Sequence, residues 1–149
     1  GGKVLQVVSA IKTDTQTLDS TSWTDISGLT VNITPAATSS KILVLGHITT
    51  SSSDHGHIRC VRESTVIGAG VAASSRGAVS GYMNSNGHSA NVVPFVFLDS
   101  PSASSEITYH FELECNNGSA GYINRTPNDT DAIYGSRGSS TITVMEIGA

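Results

Sequence analysis

The chain has few charged and few aromatic residues. Asp, Glu, Lys and Arg together make up 13% of its 149 residues, and Phe, Tyr and Trp make up 5%. The eight Lys and Arg residues are scattered between Lys3 and Arg137, and the net charge is −4. Binding to the phosphates of nucleic acid requires clustered cations. We therefore expect no nucleic-acid partner.

Long apolar runs and the motifs of common enzymes are also missing. No run approaches the roughly 20 apolar residues that a membrane helix requires, so we expect no membrane insertion. The sequence has no GxSxG, HExxH or Walker motif. Each of these motifs places particular side chains for catalysis or phosphate binding. We therefore expect a protein that is not an enzyme and has no cofactor.

Cysteine is scarce, with Cys60 and Cys115 as its two examples. Each lies in a strand-like run, and neither has the CxxC partner that is typical of zinc sites. The favoured interpretation is two small buried apolar residues, and a single disulfide is the main alternative.

Ser and Thr are abundant, at 39 of 149 residues. They suit pleated strands and polar turns better than helix interiors. Short runs with a period of two are separated by turn residues, which predicts about eight to ten strands. These predicted strands cover residues 3–11, 18–26, 29–33, 41–50, 57–61, 65–71, 82–83, 90–98, 107–115 and 141–147.

This pattern indicates a single all-β domain over residues 1–149, an antiparallel β-sandwich that resembles a jelly roll. The continuously apolar run at 41–50 suits a central strand that is buried on both faces. Pro94 interrupts the 90–98 run and predicts an edge strand or a bulge. The predicted core consists of alternating apolar residues: Val31, Ile33, Ile42, Val44, Phe95, Phe97, Phe111, Leu113, Ile142 and Val144.

Tyrosines in polar, Asn-rich surroundings are the candidate ligand contacts. An aromatic ring can stack on the apolar face of a sugar while neighbouring amides bind its hydroxyls. The alternative is that these tyrosines pack at a subunit interface or hold a loop. The candidate contact residues for a glycan or a partner are Tyr82, Asn84, Asn86, His88, Tyr122, Asn124, Arg125 and Tyr134.

Two further motifs resemble known sites. His55 and His57 form an HxH pair that could hold a metal if a symmetry axis multiplied the ligands, although loop histidines in solvent are the simpler interpretation. Residues 68–73 (GAGVAA) match the glycine pattern of a dinucleotide site, but no amphipathic helix follows. We interpret this run as small residues packed against a neighbouring backbone or subunit.

An ordered set of short motifs resembles a C-terminal module of tail fibres and other virion proteins of tailed bacteriophages. The motifs are residues 2–10 (GKVLQVVSA), 21–35 (TSWTDISGLTVNITP), 39–44 (SSKILV), 97–101 (FLDSP), 121–126 (GYINRT) and 140–147 (STITVMEI). The resemblance implies a virion component that forms a homotrimer and recognises a receptor at its exposed end.

The partners expected on this basis are further copies of the chain, other virion proteins and host-surface polysaccharide. The protein would be assembled in the host cytoplasm and located in the virion. Two alternatives stay open: a decoration (cement) protein that stabilises the phage head, and, less favoured, a stand-alone lectin.

Overall fold

The chain folds into β-strands joined by turns and loops. The computed structural model describes residues 2–83 and 88–148, and these ranges contain no α-helix, only a short 3₁₀ helix at Ile133–Gly135. The all-β prediction is confirmed. The strands are β1 (Val4–Lys12), β2 (Gln16–Leu18), β3 (Thr24–Ile33), β4 (Lys41–Ser52), β5 (Gly56–Arg62), β6 (Thr65–Ile67), β7 (Gly81–Met83), β8 (Asn91–Asp99), β9 (Ile107–Cys115), β10 (Gly121–Ile123) and β11 (Ser140–Ile147).

The strands form two antiparallel sheets. In the six-stranded sheet, β4 pairs with β8 on one side and with β11 and then β10 on the other; β1 lies beyond β11, and β2 beyond β10. In the five-stranded sheet, the order is β3, β9, β5 and β6, with β7 beside the first residues of β5. The chain passes repeatedly from one sheet to the other, so neighbours in a sheet are mostly distant in sequence.

One apolar core lies between the two sheets. All the predicted core residues are buried except Phe97, which is half-buried and packs against the core. In β9 every second residue from Ile107 to Cys115 is buried, as its alternating pattern predicts. Because alternate side chains of a strand point to opposite faces, Glu112 and Glu114 lie on the outer face of the sheet.

The central position of β4 is confirmed, but its predicted burial on both faces is not found. Ile42 and Val44 are fully buried in the core, whereas Leu43 and Leu45 on the opposite face are only half-buried. The second face of β4 therefore belongs to an outer surface of the molecule.

Three other expectations have clear outcomes. Pro94 lies in β8, which pairs with β4 alone among the described strands, so the predicted edge position is confirmed. The predicted strand over 18–26 is wrong, because β2 ends at Leu18 and β3 begins at Thr24. The strand β10 is absent from the predicted strands, although it pairs with both β4 and β2.

Both cysteines are free and buried, which confirms the favoured interpretation. Burial raises the pKa of the Cys60 thiol to about 12 and that of Cys115 to about 11. Such thiols stay protonated near neutral pH and behave as small apolar side chains. In the described residues, no helix has the length and apolarity needed to cross a membrane.

Candidate functional site

The outer face of the five-stranded sheet carries a row of three polar or aromatic side chains. Tyr82 of β7 is opposite His57 of β5, which in turn is opposite Glu114 of β9. The tyrosine and histidine rings meet edge to face, with centroids 5.5 Å apart. His57 Nδ1 lies 3.4 Å from Glu114 Oε1. Antiparallel pairing thus brings together groups that are up to 57 positions apart in the sequence.

The row lies along two adjoining depressions, which we call the Tyr82 groove. The first has a volume of about 470 Å³ and the second about 230 Å³, and His57 and Glu114 line both. The first depression is also lined by His55, Thr21, Asn116 and Asn117. The second is closed by Tyr82 and by a projecting segment that includes Arg76.

Backbone hydrogen bonds hold the loops around the Tyr82 groove. The Asn116 N–H donates to the carbonyl of His55 at 3.0 Å, which joins the loop before β5 to the end of β9. In the projecting segment, Ala73 and Arg76 exchange backbone hydrogen bonds of 3.0 and 3.1 Å. The first bond ties the loop before β5 to β9, whereas the Ala73–Arg76 pair closes a turn within the projecting segment. That segment is attached to β5 where the Ser80 N–H donates to the carbonyl of Ile58 at 2.9 Å.

The groove combines an exposed ring with several hydrogen-bonding groups. The Tyr82 side chain is 71% exposed, and its ring can stack on an apolar surface of a ligand. Glu114 accepts hydrogen bonds, while the side chains of Asn116 and Asn117 both donate and accept them. This mixture matches a ligand with many hydroxyl groups and apolar C–H faces.

The two glutamates of β9 have different partners. Glu112 and Glu114 project from the same face of one strand, and Arg59 donates to Glu112 through Nε at 2.6 Å. Glu114 instead faces His57 and lines the Tyr82 groove.

The other predicted contact residues lie in separate places. Tyr134 meets His88 edge to face, with centroids 5.8 Å apart. Tyr122 stacks under the guanidinium of Arg125, whose Cζ lies 4.4 Å from the ring centroid. Asn84 and Asn86 lie outside the described residues.

Asn124 is fully buried and is not available to a ligand. Its Nδ2 donates to the carbonyls of Lys12 and Asp14 at 2.9 Å, and its Oδ1 accepts from Ser140 Oγ. This side chain joins three segments of the chain, so its role is structural.

The two histidines of the HxH pair have different carboxylate partners. His55 Nδ1 lies 2.6 Å from Asp54 Oδ1, and His57 faces Glu114. Three potential metal ligands come together elsewhere on the same outer face, where Asp25, His110 and Glu112 bring ligand atoms within 4.8 Å of one another. Neither Asp25 nor His110 is among the predicted site residues.

Sequence reasoning identified Tyr82 and His57 but missed their neighbours. For Glu114 the sequence gives only a weak indication. The alternating pattern of β9 predicts that its side chain points outward, but it does not show which strand lies beside it. The contribution of Asn116 and Arg76 depends on loops that only the fold brings together. No family model matches the chain, and no curated protein matches it.

Proposed function

We propose that this protein is a structural component of a tailed-bacteriophage virion, a tail-fibre or receptor-binding tip module that recognises host-surface glycan through the Tyr82 groove. The observation that carries the proposal is the exposed Tyr82 ring in line with His57 and Glu114. The resemblance in sequence supports the virion setting, and the groove supports the ligand class.

A shallow groove of this kind suits a weak site that works in many copies. Ring stacking contributes about 0.5–1.5 kcal/mol, and a net hydrogen bond adds a similar amount. Several linked copies raise the overall affinity because each bound site holds the others near the same surface. A virion provides that multiplicity.

The proposed fold is a jelly roll. Two strand orders support it: β1, β11, β4, β8 in one sheet and β3, β9, β5, β6 in the other. Jelly rolls have eight strands in two sheets and recur in viral capsid proteins and lectins. Because a fold does not determine a function, this supports the proposal less strongly than the groove does.

The proposed assembly is a homotrimer that forms through the outer face of the six-stranded sheet. The register places Val7, Met145, Leu43 and Leu98 side by side across four strands. We call the surface around this row the apolar sheet face. Its members are Leu5, Val7, Ile11, Leu43, Leu45, Val92, Val96, Leu98, Met145 and Ile147.

The apolar sheet face is a candidate contact surface for a second copy of the chain, although its area is below that of a standard interface. Several of its side chains are about half exposed or more, and Val96 is 72% exposed. At roughly 60 Å² for each side chain, the face offers on the order of 600 Å². A standard interface buries about 800 Å² on each partner, and smaller ones are weak. A large apolar patch of this kind typically marks an association surface.

Glycan-array screening followed by calorimetry with the best ligand tests the glycan proposal. We expect Tyr82→Ala to weaken binding about tenfold, since it removes the stacking ring. The matched control is Tyr134→Ala, which removes another exposed tyrosine and should leave the affinity unchanged. If the wild-type protein binds no glycan, or if Tyr82→Ala binds as tightly as wild type, the proposed site is wrong.

The second candidate function is a decoration protein that bridges capsid subunits, and the apolar sheet face is the observation that favours it. Such a protein would use this face against capsid protein rather than against its own copies. Antibody labelling of particles, viewed by electron microscopy, separates the two: tail labelling supports the tail-fibre module, and head labelling supports the decoration protein.

A further inference from the structure

Three metal-ligating side chains lie close together on the outer face of the five-stranded sheet. Asp25 of β3 is directly opposite Glu112 of β9, and His110 precedes Glu112 by two residues on the same face of that strand. The three residues thus lie on two paired strands. One ligand atom of each residue lies within 4.8 Å of the ligand atoms of the other two residues.

Two of the three ligand–ligand separations in this cluster are close to those around a tetrahedral ion, and the third, between Asp25 and Glu112, is at most 4.8 Å. His110 Nε2 lies 3.4 Å from Asp25 Oδ1 and 3.5 Å from Glu112 Oε1. Ligand atoms at about 2.0–2.1 Å from a tetrahedral zinc ion are separated from one another by about 3.4 Å. An octahedral ion with the same bond length would bring them to about 3.0 Å, a closer approach than is found here.

A break in the regular pairing of β3 sets the position of Asp25. The register passes from Asp25↔Glu112 directly to Thr30↔His110, so residues 26–29 lie opposite the single residue Phe111. Gly28 has a φ of +81° within this stretch, a conformation that glycine adopts without strain. Bulges re-aim side chains and recur beside functional sites. Here the bulge leaves Asp25 within reach of His110.

A further contact fixes the orientation of Glu112. Arg59 Nε donates to Glu112 Oε2 at 2.6 Å, and the Arg59 guanidinium lies 4.2 Å from the centroid of the Trp23 ring. The arginine is thus held from two sides and leaves Oε1 directed toward His110. Partners of this kind commonly orient the ligands of a metal.

The charges of the cluster also favour a cation. Carboxylates directly opposite each other on neighbouring strands repel. Arg59 offsets the charge of Glu112, whereas the Asp25 side chain is 68% exposed and faces the ring of His110. A divalent ion between the three groups would remove the remaining repulsion.

We propose that Asp25, His110 and Glu112 form a zinc site with a fourth position open to solvent. The exposed side of Asp25 leaves that position accessible to water or to an oxygen of a bound ligand. The site is distinct from the His55/His57 pair, and its existence does not depend on glycan recognition.

Calorimetric titration of zinc into EDTA-treated protein tests the site. We expect one equivalent to bind to the wild-type chain and Asp25→Asn to weaken binding at least tenfold. Asp25→Asn is nearly isosteric at an exposed position, so it should leave the fold intact, as circular dichroism would verify. His55→Ala removes an exposed histidine outside the cluster and should bind zinc as wild type does.

Cobalt provides a second readout that reports geometry. Co²⁺ in a tetrahedral site absorbs visible light strongly, and we expect this absorption from the wild-type chain and its loss in Asp25→Asn. The proposal fails if the wild-type protein binds no zinc, if Asp25→Asn binds it equally well, or if bound cobalt gives the weak spectrum of an octahedral ion.

Discussion

At the scale of single residues, the chain keeps polar side chains inside by giving each of them several partners. Glu146 is almost fully buried, yet its two oxygens accept hydrogen bonds from Gln6 Nε2 at 2.6 Å and from the Ala36 N–H at 2.8 Å. Buried Lys12 is similarly bonded to Asp14 and Ser27. Such groups stabilise the fold only while every partner is present.

Glu146 makes the stability of the protein depend on pH in the acidic range. Hydrogen bonds from Gln6 and Ser40 lower its pKa from the ordinary value of 4.5. Its stabilising effect is therefore complete above about pH 4.5 and is lost as the pH falls through the lower folded-state pKa. We expect Glu146→Gln to lower the free energy of unfolding by about 1–3 kcal/mol at pH 7. We also expect the variant to lose less stability than wild type as the pH falls. Urea unfolding at several pH values measures these changes, and Glu106→Gln at an exposed position is the control. If stability depended on pH in the same way in wild type and Glu146→Gln, the prediction would be wrong.

Within the GxGxxA run, Gly68 is the position where a side chain would meet the core. Its φ is +59°, and an added Cβ would lie 2.6 Å from Cζ of Phe95. We expect Gly68→Ala to destabilise the protein by about 2–4 kcal/mol, through backbone strain and overpacking. Gly77→Ala is the control, because no atom lies within 4 Å of its added Cβ. Chemical denaturation compares the two, and similar losses in both variants would refute the packing explanation.

At the scale of elements, one polar cluster joins the two sheets. Asp99 at the end of β8 accepts two hydrogen bonds from Arg62 Nη1 of β5, at 2.9 and 2.7 Å, and one from the Tyr109 hydroxyl of β9 at 2.7 Å. Burial, reinforced by the hydrogen bond to Asp99, raises the pKa of Tyr109 far above its ordinary value. The tyrosine therefore stays neutral and donates across the core.

Removing the charge of Asp99 should loosen the contact between the sheets. Asp99→Asn places an amide NH₂ against donors from Arg62 and Tyr109, and we expect a loss of about 2–4 kcal/mol. Asp19→Asn, at an exposed position, should change stability by less than about 0.5 kcal/mol. Guanidinium unfolding followed by tyrosine fluorescence provides the measurement, and an unchanged midpoint for Asp99→Asn would show that the cluster is not stabilising.

The elements that sequence predicts well are those whose signal is local. The alternation from Ile107 to Cys115 gives the bounds and both faces of β9, and Pro94 gives the edge position of β8. In contrast, β10 has only three residues and exists because β4 and β2 flank it. The same distinction applies to the site: the polar surroundings of Tyr82 are visible in sequence, but the register that puts His57 opposite Glu114 is a tertiary property.

At the scale of the whole molecule, the two outer faces differ in chemistry. The five-stranded sheet presents His57, Arg59, Glu112 and Glu114 in rows that pair across β5 and β9. The six-stranded sheet presents the apolar sheet face. Leu43 and Leu45 of β4 lie on the apolar sheet face. This position explains why they are only half-buried, although the sequence predicted β4 to be buried on both faces.

The proposed homotrimer predicts a specific effect of charge on the apolar sheet face. We expect sedimentation velocity to give a trimer for the wild-type chain, and Val96→Asp to weaken association at least about 30-fold. Val71→Asp is the matched control, because Val71 is 95% exposed and lies outside this face; it should remain trimeric. A monomeric wild-type chain, or a trimeric Val96→Asp variant, would exclude this interface.

The back-to-back arrangement of the two sheets has a consequence for stoichiometry. Because the core separates the Tyr82 groove from the apolar sheet face, a neighbour docked on one does not obstruct a ligand on the other. In the proposed assembly each chain would keep its own Tyr82 groove open to a ligand, so we expect the number of ligands bound at saturation to equal the number of chains.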